Sequence, residues 1–182
     1  MATTRTRKLK AEPKEPRVYV VANLKGGVGK SSVAAHLACL LAEQSPVTAV
    51  DLDPGQGDLN RFAKLRGIET HIVQEADVLF DLVEALTGEG KSVVIDCPPG
   101  ESPSTRVACY LADAVVMPVR PGANDAAAIG RLLSMVAEIR QERSDLQVFT
   151  LCNFFKNANE AKMMVSLLQQ MGVATYVGKL WD

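Results

Sequence analysis

The stretch that decides the fold of this chain is VYVVANLKGGVGKSS, residues 18–32. A run of apolar, mostly β-branched residues is followed by a glycine-rich turn, and a helical pattern begins near Lys30. Glycines allow a tight turn whose successive N–H groups point to one side, and the helix N-terminus behind the turn adds a partial positive charge. A strand, a glycine loop and a helix in this order predict a phosphate-binding loop.

The loop follows a deviant form of the phosphate-loop pattern. The common form, G-x-x-x-x-G-K-[S/T], needs a glycine where Leu24 stands. The sequence instead satisfies K-G-G-x-G-K-[S/T] at every position. In such a loop Lys30 reaches the outer phosphates and the Ser31 hydroxyl can ligate Mg²⁺. The predicted nucleoside triphosphate site consists of Lys25, Gly26, Gly27, Val28, Gly29, Lys30 and Ser31.

Composition and charge are those of one globular domain with a basic leader. The 182 residues are 47% apolar and 23% charged, which is ordinary for a folded domain. Residues 1–17 contain six basic and two acidic side chains, whereas the remaining residues carry a net charge of −5. We expect residues 1–16, which are polar and contain two prolines, to be disordered. Residues 17–182 are expected to form a single domain.

Several classes of protein are disfavoured by the same composition. The four cysteines have neither the spacing of a disulfide framework nor that of a zinc site. No apolar run approaches the roughly 18 residues of a membrane span, and the N-terminus lacks the apolar core of a secretion signal. These features predict a cytoplasmic protein with no membrane partner.

Apolar segments alternate with helical patterns along the rest of the chain. The segments near residues 47–52, 92–95, 114–119 and 147–151 are apolar on both faces, as buried strands of a parallel sheet are. Helical patterns separate them, including a long one over residues 124–141. We therefore predict an α/β fold with a mostly parallel twisted sheet and helices on both faces. Ligands of such sheets bind at the carboxyl ends of the strands.

Three aspartates stand where predicted strands end. Asp51 lies at the end of the second strand, Asp53 comes just after that strand, and Asp96 follows the strand over residues 92–95. An aspartate that closes an apolar strand beside a phosphate loop commonly holds Mg²⁺, which predicts Asp96 as a metal residue. Asp53 is the candidate for orienting an attacking water, and Asp51 is a candidate for the metal shell. An aspartate before proline is also a common turn residue, so a structural role stays open for Asp53.

Three motifs together resemble the ParA/MinD family of deviant Walker-A ATPases. They are KGGVGKSS at residues 25–32, DLDP at 51–54 and VVIDCPP at 93–99. The order of these motifs is similar to that of the family from about Arg17 to Val177, and DLDP resembles the ParA partition branch more than MinD. The resemblance implies a P-loop NTPase of the SIMIBI type.

The resemblance also implies a reaction cycle. ATP with Mg²⁺ would drive a homodimer with two nucleotides at its interface, and Lys25 would reach across to the phosphates of the partner. Lys25, Lys30 and Asp53 would then be the catalytic residues. Ser32 would join the nucleotide site, and Asn153 matches a position that often approaches the adenine, although it could equally cap the next helix. Family dimers bind DNA non-specifically, and a ParB-like or other adaptor stimulates hydrolysis.

The chain departs from the family at Gly55, which is inserted between Pro54 and Gln56. Basic residues that could contact DNA are scattered over the predicted domain, at Arg120, Arg131, Arg140, Arg143, Lys156, Lys162 and Lys179. The leading hypothesis is a ParA-like ATPase that positions DNA or another cargo. A MinD-like or conjugation-associated regulator without DNA binding is an alternative, and an ATP-dependent reductase or synthetase that shares the loop is another.

Overall fold

The computed structural model describes residues 15–53, 55, 57–120, 123–153, 155 and 157–177, and the side chains of residues 123–126 are outside this description. The predicted disordered tail lies outside the described residues up to residue 14, as do Pro54, Gln56, Lys156 and Lys179. Helices and strands alternate through the described ranges. They are β1 Val18–Val21, α1 Lys30–Ala42, β2 Val47–Asp51, α2 Asp58–Leu65, β3 Glu69–Ile72, α3 Ala76–Gly88, β4 Ser92–Asp96, α4 Pro103–Leu111, β5 Ala114–Val119, α5 Ala123–Ile139, β6 Gln147–Cys152, α6 Ala158–Gln170 and β7 Ala174–Val177.

The strands form one sheet in the order β3-β2-β4-β1-β5-β6-β7, and all neighbouring strands are parallel. This confirms the predicted parallel α/β architecture. β1 lies in the middle, between β4 and β5, while the chain continues from it to β2 on one side. Such a reversal in strand order opens a crevice at the carboxyl ends of the central strands. The glycine loop that follows β1 lies at this crevice.

Helices cover both faces of the sheet because alternate strand residues point to opposite sides. Val21, Ala49 and Val94 pack with α1 and α2 on one face. The residues next to them, such as Val50 and Ile95, pack into the main core with α3, α4 and α5 on the other face. All five residues of β4 are buried, as expected for a central strand covered on both sides. The core therefore holds the ends of β1, β4 and β5 in fixed positions at the crevice.

Within the described ranges, no helix is both long enough and apolar enough to cross a bilayer.

Candidate nucleotide-binding site

The glycine loop joins β1 directly to α1 at the carboxyl edge of the sheet. Gly27 and Gly29 have positive φ angles, of 70° and 91°, which non-glycine residues adopt only with strain. Gly29 is the residue that precedes α1, and no side chain there caps the helix. The first amide groups of α1 therefore receive no side-chain cap from Gly29, and uncapped amides at a helix start are suited to binding an anion.

The first half of the loop is fixed by Asn23 and Lys30. The Asn23 side chain is buried and donates to the Pro118 carbonyl at 2.7 Å, while its oxygen accepts from the Lys25 amide at 2.9 Å. The Lys30 ammonium donates to the Lys25 carbonyl at 3.2 Å. The two residues that bond to Lys25 are therefore close to it in sequence, and Asn23 is itself hydrogen-bonded to Pro118 of β5.

The second half of the loop is held from outside the motif. The Arg120 guanidinium donates to the Gly27 carbonyl at 2.9 Å, and the Asn153 side-chain amide donates to the Val28 carbonyl at 3.2 Å. Arg120 directly follows β5, and Asn153 directly follows β6. The loop is thus attached to the ends of two strands that lie beyond β1 in the sheet.

Sequence reasoning assigned both of these residues to other roles. Arg120 was predicted only as a possible DNA contact. It comes directly after a buried strand, and the same signal led to the prediction of Asp96, so that signal could also have identified Arg120. Asn153 was expected near the adenine or as a helix cap. The cap of α6 is Asn157, whose side chain accepts from two amides, so the capping alternative is wrong. Asn153 has no exposed surface, and its side chain supports the loop through the Val28 carbonyl. Its expected approach to the adenine stays a prediction.

Asp96 is the centre of a buried polar cluster at the start of α1. Its side chain is 1% exposed, and burial raises its pKa to about 7, with the nearby Asp51 and Asp53 carboxylates acting in the same direction. A hydrogen bond with Ser31 and the charge of Lys30 oppose that rise in the pKa. The folded chain therefore brings four other predicted site residues, Ser31, Lys30, Asp51 and Asp53, close to Asp96.

Lys30 points into the same cluster and is 7% exposed. Burial lowers the pKa of its ammonium, while the charges of Asp96 and Asp53 act to raise it. A desolvated cation fixed at the loop is suited to pairing with a phosphate, because electrostatic interactions are stronger where water is excluded.

The donors at this point fit Mg²⁺. Asp96 Oδ1 is buried and has no hydrogen-bond partner among the described residues, and the Ser31 hydroxyl lies beside the same carboxylate. Both are hard oxygen ligands of the kind that Mg²⁺ prefers. Among the described residues, His, Cys, Asp and Glu side chains nowhere form a cluster of three that could hold a metal alone. A magnesium ion here would take its other ligands from phosphate and water, as is usual for this ion.

Asp51 supports the turn after β2. Its carboxylate accepts from the Asp53 amide at 2.9 Å and from the Asn60 amide at 3.4 Å, and burial raises its pKa. Asp51 and Asp96 are direct neighbours in the β2–β4 register. Both of its oxygens accept from the backbone, so Asp51 holds this turn in place. Its place in a metal shell stays a prediction.

Asp53 and Lys25 lie at the open side of the site. Asp53 is partly exposed, and its carboxylate is close enough to Lys30 to affect the pKa of that ammonium. Its carbonyl accepts from the Gly57 amide at 3.2 Å, which closes the turn that contains the inserted Gly55. Lys25 is also partly exposed. The water-orienting role of Asp53 and the action of Lys25 in a second protomer stay predictions.

The cysteines take no part in the site. Cys97, Cys109 and Cys152 are buried, Cys39 is partly buried, and all four are free thiols. Burial raises the pKa of Cys109 to about 12 and also raises that of Cys97. Protonated, enclosed thiols do not favour the reductase alternative, which needs accessible cluster ligands.

The family comparison fits this geometry. A family model described as the CobQ/CobB/MinD/ParA nucleotide binding domain matches residues 19–177. The chain belongs to this ParA/MinD family. The resemblance drawn from the three motifs is therefore confirmed.

The relatives of this ParA/MinD-family chain include positioning and partition proteins. It is 38% identical over 120 residues to maintenance of carboxysome distribution protein A of Gloeobacter kilaueensis, with 63% of this chain and 54% of the relative covered. It is 33% identical over 126 residues to protein ParA of Rhizobium radiobacter, with 66% and 56% covered. The chain spans about half the length of these curated relatives.

The fold is also that of solved family structures. Cobyrinic acid a,c-diamide synthase from Mycobacterium smegmatis, solved with bound ADP and magnesium, superimposes with a TM-score of 0.69 at 22% identity. The match covers 85% of this chain and 82% of that one. The predicted P-loop fold is thus confirmed, while identity at this level says nothing about the reaction.

Proposed function

We propose that this chain is a ParA-type ATPase that positions DNA or another cargo through ATP-dependent dimerisation and slow hydrolysis. The observation that carries the proposal is the cluster in which Ser31, Lys30 and Asp96 meet beneath a loop whose carbonyls accept hydrogen bonds from Lys30, Arg120 and Asn153. Identity of 33–38% to a ParA and to a carboxysome distribution protein supports the positioning role over a synthetase role.

The loop and Lys30 bind the polyphosphate. Backbone amides of residues 26–32 face the phosphates, and the Lys30 ammonium neutralises part of their charge. Ser31 and Asp96 would hold Mg²⁺, which supplies charge neutralisation for the transferring phosphoryl group. Asp51 keeps the neighbouring turn in place through the Asp53 and Asn60 amides.

Asp53 and Lys25 act in hydrolysis. The Asp53 carboxylate, at the open side of the site, accepts a hydrogen bond from the attacking water and orients it. Lys25 of one protomer reaches the phosphates bound to its partner and stabilises the charge that develops there. Because both phosphate sites then need both chains, dimerisation depends on the γ-phosphate, and hydrolysis releases the dimer.

The partners proposed for the dimer are a ParB-like or other stimulating adaptor and non-specific DNA, in the cytoplasm or at the nucleoid. A regulator without DNA binding is the second candidate, because several predicted DNA contacts are used within the fold. Arg143 pairs with Asp145 at 2.9 Å, and Arg140 donates twice to the Leu146 carbonyl. Salt-sensitive, ATP-dependent retention on DNA would distinguish the first candidate from the second.

The test of the nucleotide site compares Lys30→Ala with Lys64→Ala, an exposed lysine on α2 that serves as the matched control. We expect Lys30→Ala to weaken ATP binding by more than about tenfold, since a buried charge-assisted contact is lost. Lys64→Ala should bind as the wild type does. Binding of a fluorescent ATP analogue gives the affinity, and size-exclusion chromatography with ATP, ADP or neither gives the dimerisation. Equal affinity of the two variants would contradict the loop assignment.

A further inference from the structure

We propose that Arg120 is a positioning residue that aims the Val28 amide of the phosphate loop, and that Asn153 does the same for the Gly29 amide. The inference rests on the proposed function and adds to it two residues that lie outside every motif of the sequence. Its basis is the pair of hydrogen bonds from Arg120 to the Gly27 carbonyl, at 2.9 Å, and from Asn153 to the Val28 carbonyl, at 3.2 Å.

In a peptide unit the direction of the carbonyl fixes the direction of the amide that follows it. The C=O of one residue and the N–H of the next lie in one plane and point in opposite directions. A donor that holds the Gly27 carbonyl on the outer side of the loop therefore turns the Val28 N–H to the inner side. The Asn153 bond to the Val28 carbonyl orients the Gly29 N–H in the same way.

This control matters because the loop itself is permissive. Gly27 and Gly29 have φ angles of 70° and 91°, and glycine adopts many other conformations nearly as easily. The two peptide units that they flank would rotate if no external group fixed them. Amides that already face the ligand need no reorganisation when it binds, which is the advantage of preorganised donors.

Both positioning groups stand on rigid supports. Arg120 follows β5, which pairs with β1 and holds the start of the loop through a bond from the Ala22 amide to the Val116 carbonyl at 3.1 Å. The Asn153 backbone amide donates to the Val119 carbonyl at 2.9 Å, which ties the end of β6 to the end of β5. Side chains placed on strand ends hold a site more accurately than side chains on loops.

The burial of the polar Asn153 side chain is unfavourable for stability, and its role in the loop explains why an asparagine is present there. Its side chain has no exposed surface, and its Oδ1 has no hydrogen-bond partner within the part of the chain that the structure describes. A buried, unsatisfied carbonyl oxygen is unfavourable, so an apolar residue of similar size would suit the core better. The bond from its Nδ2 to the loop is the interaction that an apolar residue would lose.

The decisive experiment uses Arg120, because its side chain is exposed and its substitution leaves the core intact. Arg120→Met removes the donor and keeps the aliphatic stem, Arg120→Lys keeps a donor, and Arg106→Met is the control. Arg106 is an exposed arginine of α4 that pairs with Glu138 at 2.9 Å. Two quantities are measured: the amide resonances of Val28 and Gly29 in the nucleotide-free protein, and the affinity for ATP.

We expect Arg120→Met to shift the Val28 amide resonance before any nucleotide is added and to weaken ATP binding about tenfold. Arg120→Lys should restore the affinity to within about threefold of the wild type, since it still offers a donor. Arg106→Met should change neither quantity. Asn153→Asp, which keeps the size but loses the donor, should shift the Gly29 resonance.

Two results would overturn the inference. Unchanged ATP affinity in Arg120→Met would show that the contact with Gly27 has no role in binding. Weaker ATP binding with an unmoved Val28 resonance would show that Arg120 acts on the phosphates directly, by its charge. If the wild-type protein itself fails to bind ATP, the proposed function is wrong, which is a separate result from either of these.

Discussion

Replacing Asp96 with asparagine should make the nucleotide-free protein more stable at alkaline pH while it removes magnesium-dependent binding. The carboxylate is 1% exposed, and in the described ranges one of its oxygens has no hydrogen-bond partner. Keeping a charge in such a place is costly unless a ligand compensates for it. Asparagine has the same shape without the charge, so it separates the cost of the charge from the packing of the side chain.

The magnitude follows from the pKa. The pKa of Asp96 is about 7 in the folded protein and 3.8 for a solvated aspartate. Between these values the folded protein keeps a proton that the unfolded chain has lost, so the free energy of unfolding falls as the pH rises through this range. The difference corresponds to about 4 kcal/mol. The wild-type protein has lost all of this free energy of unfolding above a pH of about 8 and none of it below a pH of about 4.

The assay is urea unfolding of both proteins across this pH range, with a chelator present. The asparagine side chain has no proton to lose, so the stability of Asp96→Asn relative to the wild type should increase by about 4 kcal/mol from acidic to alkaline pH. Replacing the chelator with MgATP at alkaline pH should stabilise the wild type and leave Asp96→Asn nearly unchanged. Parallel pH profiles of the two proteins would refute the claim that Asp96 is a buried carboxylate whose charge destabilises the nucleotide-free fold.

Three further perturbations test the cycle and the core. Lys25→Ala should bind ATP nearly as the wild type does but fail to dimerise or hydrolyse it; chromatography that shows a normal ATP-dependent dimer with normal turnover would remove Lys25 from the mechanism. Asp53→Ala should accumulate as an ATP-bound dimer with little phosphate release, and undiminished turnover would argue against its water-orienting role. Leu132→Ala should cost about 2–5 kcal/mol of stability, because Leu132 is fully buried. The matched control Leu65→Ala, at a side chain that is 79% exposed, should cost less than about 0.5 kcal/mol; similar losses would contradict the described core.

The sequence predicted the local structure well because local signals determine it. The first helix begins at Lys30, as predicted, since the glycine loop ends there. The apolar segment expected over residues 114–119 is β5 without any change of bounds. Asp96 was found because the end of an apolar strand beside a phosphate loop is itself a local pattern.

The contacts that cross the sheet could not be predicted in the same way. Arg120 and Asn153 meet the loop only because β5 lies next to β1 and β6 lies next to β5, a strand order that no stretch of sequence states. Both carboxylate oxygens of Asp51 accept hydrogen bonds from backbone amides, and this arrangement depends on how α2 packs after the turn that follows β2. Arg131 was a DNA candidate because it is basic, but its neighbour Glu101, at 3.8 Å, comes from a distant part of the chain.

The hydrogen bonds from Arg120 and Asn153 to the glycine loop have a consequence for how such proteins lose activity. Substitutions at positions 120 and 153 leave the KGGVGKSS signature untouched, yet they release the peptide units that give the signature its chemistry. A descendant of this gene could therefore keep an intact nucleotide motif and still bind nucleotide more weakly. Inspection of the two strand ends would identify such a weakened paralogue, whereas inspection of the motif alone would not.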